Sequence, residues 1–226
     1  MKAFLCATGL FASLFLWSCS GDQAAGDQAG RTLETSGDAL AATGSDARKY
    51  GIKSGIVYYD SETMGMKMPS VLYFDDYGRL EATESKHELE MMGMKTFVHT
   101  LNIQKDGYMY NIDLVEKTGT KTKVPTGMVD AKGMDFSKLT ESMMKEMEIT
   151  QGGHETVLGK KCDVFEMDSK KMGIKGRFLV WENIMLKSES EMGTIKVLSM
   201  ATKMEDNVSV PADKFMVPSD IEITEY

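Results

Sequence analysis

From Tyr50 onward, short runs of β-branched and aromatic residues alternate with polar ones, and turn signals cut each run short. A hydrophobic period of two, interrupted this often, builds sheet. The runs fall at 52–59, 64–74, 79–92 and 95–104, and resume at 155–158, 162–167, 176–181, 184–190 and 194–204. Asp75-Asp76-Tyr77-Gly78 marks one turn, and Asp106-Gly107 between two apolar runs is a strong hairpin signal. Residues 118–122 are polar, contain Gly119 and read as a loop, while Gly152-Gly153 reads as a terminator.

One segment has another period. Phe136, Leu139, Met143, Met144 and Met147 form a one-sided stripe near 3.6 residues per turn, and Asp135 stands where it can cap a helix. One amphipathic helix near 135–147 among many strands predicts a β-rich α+β domain built on an antiparallel sheet, not βαβ units. The stripe is expected to cover the open side of that sheet.

The chain begins differently. Lys2 precedes an apolar run over 3–16 that is too short to span a bilayer, and Ser18-Cys19 ends it. Residues 1–18 read as a secretory signal. Its end resembles the lipobox of bacterial lipoproteins, with Trp17 in place of the usual small or aliphatic residue, which implies acylation of Cys19. Residues 19–48 are rich in Gly, Ala, Ser, Asp and Gln, lack aromatics, and repeat Gly-Asp-Gln-Ala at 21–24 and 26–29. They read as a disordered tether reaching roughly 30 Å root-mean-square. Residues 49–226 are then the single domain. Ser20 after the cysteine favours the outer membrane over retention at the inner one.

The formal charge of −8 argues against nucleic acid and against electrostatic docking on anionic lipid. Membrane contact is therefore expected through the acyl chains. Of the three cysteines, Cys6 leaves with the signal and Cys19 takes the lipid. Cys162 remains, in an alternating run that reads as a buried strand position.

Glu155 to Phe165 resembles the "G-x-K-C-x-x-Y/F" hairpin of an uncharacterised family of envelope lipoproteins. Val180-Trp181-Glu182-Asn183-Ile184-Met185-Leu186-Lys187-Ser188-Glu189 is similar to its "lP-l-K-x-E" step, with Leu186 replacing the usual proline. Residues 210–218 are similar to its "P-x-x-x-F-x-x-P" ending, and 72–78 also fit. The family resembles the LolA-like lipoprotein carriers. That resemblance implies a curved antiparallel sheet forming an open half-barrel, helices at its mouth, and a hydrophobic ligand cavity.

Methionine is abundant, with 20 residues, and recurs beside glycine and lysine at Met64-Gly65-Met66-Lys67, Met92-Gly93-Met94-Lys95, Met172-Gly173-Ile174-Lys175 and Met192-Gly193-Thr194-Ile195-Lys196. Glycine within a strand permits a bend or bulge, which a rolled sheet needs. Methionine beside it packs an irregular interior and adapts to variable apolar ligands. The candidate cavity residues are Met64, Met66, Met68, Met92, Met94, Phe136, Leu139, Met143 and Met147.

Copper is the sharper alternative. Met64, Met66 and Met68 alternate, Met92 and Met94 do likewise, and His87 and His99 stand near in sequence, a soft donor set suited to Cu(I). The methionines are spread over the whole domain with no repeated His–Met spacing, which favours packing. No zincin pattern, G-x-S-x-G, P-loop or Cys-x-x-Cys occurs, so no catalytic residue and no cofactor are expected. The readings are a non-catalytic envelope lipoprotein binding a lipid-like ligand, a Cu(I)-binding lipoprotein, and a structural module that binds protein.

Overall fold

The structure, a computed structural model, describes residues 48–226 apart from 92, 125–128, 131–132 and 135. The expectations for residues 1–47, including Cys19, and for Met92 and Asp135 lie outside the described residues. The first half of the domain is β1 (Gly55–Thr63), β2 (Met66–Asp75), β3 (Leu80–Met91), β4 (Met94–Lys105), β5 (Tyr108–Asp113) and β6 (Thr118–Lys123). A small pair, β7 (Val129–Asp130) and β8 (Gly133–Met134), precedes α1 (Glu141–Glu146). The second half is β9 (Ile149–Val157), β10 (Lys160–Ser169), β11 (Ile174–Trp181), β12 (Ile184–Met192) and β13 (Ile195–Asp206), closed by β14 (Glu222–Glu225).

Twelve strands form one sheet in the order β14-β6-β5-β4-β3-β2-β1-β13-β12-β11-β10-β9. It is an open, curved sheet that does not close into a barrel, and all its pairs are antiparallel except β14 on β6. The curvature shows in the core. Val57, Leu72 and Phe74 of β1 and β2 share one buried cluster with Cys162 and Val164 of β10 and with Leu179, Ile184 and Leu186. β2 and β10 lie five places apart in the order, about 24 Å if flat. Only a sheet curled toward that face brings them into one cluster. Bulges at Tyr58/Tyr59, Asp163/Phe165 and Leu179/Val180 supply the bending.

A second cluster covers the opposite face. Ala82, Leu101, Ile103 and Ile112 pack against the C-terminal strap through Val210 and Phe215. The closing "P-x-x-x-F-x-x-P" run thus seals the back of the sheet: a 3₁₀ turn over Ala212–Phe215 follows Pro211 and buries Phe215.

Several elements correct the sequence reading. The helix is present but short, capped by the Thr140 side chain, which accepts from the Met143 amide. Phe136 sits upstream in a separate 3₁₀ turn, because its ring is held by aromatic partners on the sheet. Residues 118–122, read as a loop, are strand β6; their alternating threonines suit a pleat, and Gly119 lets the Ile223 side chain approach. Gly152-Gly153, read as a terminator, lies inside β9, which is the last strand in the sheet order and so an edge among the described residues. The glycines of the Met-Gly repeats are not strand bends. Gly65, Gly93, Gly173 and Gly193 occupy connections between strands with φ of +79°, +77°, +66° and +62°.

Candidate functional site

Register assigns each side chain to a face, since residues directly opposite in an antiparallel pair point the same way. One row across the concave face runs Met68–Ser61–Ser199–Ser188–Phe178–Phe165. The next row runs Met66–Thr63–Val197–Ser190–Gly176–Met167. The floor over β1, β13 and β12 therefore carries only Ser, Thr and Val. Met66 and Met68 bound it on one side and Phe165, Phe178 and Met167 on the other. From β2 to β11 this trough spans about 19 Å of sheet.

The aromatic wall is built in layers. Phe178 lies over Gly176, where an added Cβ would stand 2.7 Å from the ring. Phe136, buried, stacks on both, with centroids 5.1 Å from Phe165 and 5.8 Å from Phe178. Two of the floor hydroxyls, Ser61 and Ser199, pair with each other at 2.9 Å. Small hydroxylated residues between two apolar walls suit a ligand that is part apolar and part polar.

Toward one end the same face becomes solid core. Tyr59, Val57, Leu72, Phe74 and Leu186 fill it. The chain entering the domain closes this base: Tyr50 stacks edge-on against Phe74 at 4.7 Å, and Lys49 Nζ reaches the fully buried Glu81 carboxylate at 2.9 Å. The Tyr59 hydroxyl donates to the Met185 carbonyl at 2.9 Å; burial, and next the Glu81 charge, hold its pKa well above the ordinary value. Cys162 is fully buried here, and burial pushes its thiol pKa up, so it packs as a small apolar group.

At the other end the trough opens, and β3 parts from the β2 wall at Pro69. The β2–β3 ladder stops at Ser70↔Ser85, although β2 continues back to Met66 and β3 on to Met91. Pro69 has no N–H to give to β3, and its carbonyl is taken by the Ser85 hydroxyl at 3.0 Å. Residues 86–91 and 94–99 form a two-stranded arm beyond the sheet.

The eight described candidate cavity residues separate into groups. Met66 and Met68 line the trough's β2 wall, and Phe136 belongs to the opposite wall. Leu139, Met143 and Met147 are half-buried, Met143 on the helix that packs beside β9, whereas Met64 and Met94 are 74% and 69% exposed at hairpin turns. Met64 lies in a turn at φ 52°, so the strand row expected for Met64, Met66 and Met68 holds only the last two. His87 is half-buried on the concave face with its pKa lowered by burial, its Nδ1 3.3 Å from Ser85 Oγ. His99 points to the back face, where it contacts Glu84 at 2.9 Å. Among the described residues, no group of three His, Cys, Asp or Glu is placed to hold a metal. Sequence reasoning missed Ser61, Ser188, Ser199, Phe165 and Phe178, which only strand register brings into line.

No protein-family model matches this chain, and no curated protein matches it. Solved structures do. An uncharacterised conserved protein from Thermus thermophilus superposes with a TM-score of 0.52 at 8% identity, over 77% of this chain and 91% of that one. MucB in the Pseudomonas aeruginosa MucA/MucB complex superposes at 0.52 with 13% identity, over 79% of this chain. The match spans only 60% of the MucA/MucB structure's chain. At such identities the likeness is one of fold alone, and it is consistent with a LolA-like fold.

Proposed function

We propose that this chain is a non-catalytic envelope lipoprotein, acylated at Cys19, that binds an apolar or amphipathic ligand in the concave trough. The observation that carries the reading is the pair of register rows. They place a floor of small hydroxylated residues between Met66/Met68 and Phe136/Phe165/Phe178, with a solid apolar base beneath. Methionine on one wall adapts to varied apolar shapes, while the aromatic wall is fixed by stacking. The floor hydroxyls give a polar group somewhere to bond. The likeness to the LolA-like fold supports a lipid-like occupant, and the signal-like leader supports export to the envelope.

The test fills the floor. Ser199→Phe occupies the trough, whereas Leu198→Phe, one residue away, adds comparable bulk on the opposite face, where Leu198 is 39% exposed. Displacement of a fluorescent fatty-acid probe should be lost in Ser199→Phe and kept in Leu198→Phe, with melting temperatures close to the parent. Equal uptake by both variants would refute the trough as the binding site.

A further inference from the structure

The Met-Gly repeats acquire a common position in the fold. Across the eight consecutive strands from β4 to β10, one rim of the sheet holds four connections: β3 to β4, β1 to β2, β12 to β13 and β10 to β11. Each of them carries a Met-Gly pair, at 92–93, 64–65, 192–193 and 172–173. Met64, Met94, Met172 and Met192 are 74%, 69%, 42% and 39% exposed at this rim. The turns of the opposite rim are Asp76-Tyr77-Gly78, Asp106-Gly107, Glu182-Asn183 and Leu158-Gly159, mostly polar. The methionine rim is also the end at which the trough opens.

We propose that this rim docks on a lipid bilayer, the four methionine tips entering its interfacial layer while the trough faces the membrane. Two features favour a bilayer over a shaped protein partner. The tips sit on four separate turns distributed along eight strands, and a fluid surface accepts each tip independently, whereas a shaped partner would have to match all four. Most of the rim's lysines are also matched by a carboxylate: Lys95 pairs with Glu88 at 2.8 Å, Lys196 with Glu191 at 3.4 Å, Lys175 with Asp168 at 3.8 Å, and Lys67 lies opposite Glu62, while Lys170 and Lys171 are exposed beside Met172. Attraction is therefore mainly apolar, and neutral phospholipid suffices.

The chain enters the domain at the far rim, where the Lys49 and Tyr50 amides donate to the Tyr77 carbonyl and the Gly51 amide to Glu182. The chain thus joins the domain at the end away from the methionine tips, and the tips supply a contact that acylation does not.

The experiment uses the chain from residue 19 with Cys19→Ala, so that no acyl chain contributes, and phosphatidylcholine vesicles in a sedimentation assay. Met64→Ser, Met94→Ser, Met172→Ser and Met192→Ser are combined, with Leu158→Ser on the opposite rim as control, since Leu158 is 44% exposed. Expected are binding by the parent at both low and high salt, a loss of at least about tenfold in the quadruple variant, and no change in the control. Circular dichroism and probe uptake confirm that the quadruple variant keeps its fold and trough. No binding by the parent, equal binding by the folded quadruple variant, or binding that high salt abolishes would each overturn the proposal. Probe uptake and vesicle binding fail separately, so loss of one reading leaves the other standing.

Discussion

Replacing Lys49 with Met should destabilise the domain more than any surface change on this acidic chain. Glu81 is fully buried, and the Lys49 ammonium, 17% exposed, lies 2.9 Å from its carboxylate. At an effective dielectric near 20, two unit charges at that distance attract by about 6 kcal/mol, against a desolvation cost of similar size. The pair's net worth is therefore small, but removing one partner leaves the carboxylate buried without this counter-charge. The expected cost is about 3 kcal/mol, the lower end of what broken buried pairs show, because Lys49 keeps some solvent contact. For a domain of this size that lowers the melting temperature by about 6–12 °C. The same change loosens Tyr50 from Phe74 and opens the base of the concave face. Adding Glu81→Leu should recover most of the loss, since no charge then remains to be buried. Thermal unfolding of the two single variants and the double variant measures the coupling. A Lys49→Met protein melting within a degree of the parent would refute the reasoning.

Two other outcomes follow from the back face and the split sheet. The His99 hydrogen bond first, and then Lys214, hold the Glu84 carboxyl below its ordinary value of 4.5. A depressed carboxyl contributes stability that is complete above that value and drains away as pH falls through its folded pKa. The C-terminal strap carrying Lys214 should accordingly loosen in acid, seen as faster amide exchange over 210–223, and Glu84→Gln should remove this component. Replacing Pro69 with Val restores a donor toward β3, so amides of 86–89 should become protected as the ladder extends beyond Ser70↔Ser85; unchanged exchange there would contradict the role given to Pro69.

Much of the sheet was legible from periodicity. Asp106-Gly107 and Leu158-Gly159 sit in tight turns because both residues of each pair adopt positive φ, and the sequence announces the first pair plainly. Residues 118–122 deceived because polar strand positions at a sheet margin look like loop, and β14 stayed hidden because its pairing is set by the strap's packing. The helix was over-extended because Phe136 matches the stripe by spacing yet packs on the sheet from a separate 3₁₀ turn. The Met-Gly repeats were visible as motifs but misplaced: period alone cannot say whether glycine bends a strand or ends it. Register fixed what composition could not. Ser61 and Ser199 are far apart in sequence, and nothing local links them to each other or to Phe178.

Mass measurement of the untagged protein purified gently from its own envelope bears most directly on the central claim. The account predicts a retained apolar or amphipathic molecule that leaves on denaturation and is absent from the Ser199→Phe variant. A protein that carries stoichiometric copper instead, or that arrives empty and takes up no lipid-like probe, would contradict it.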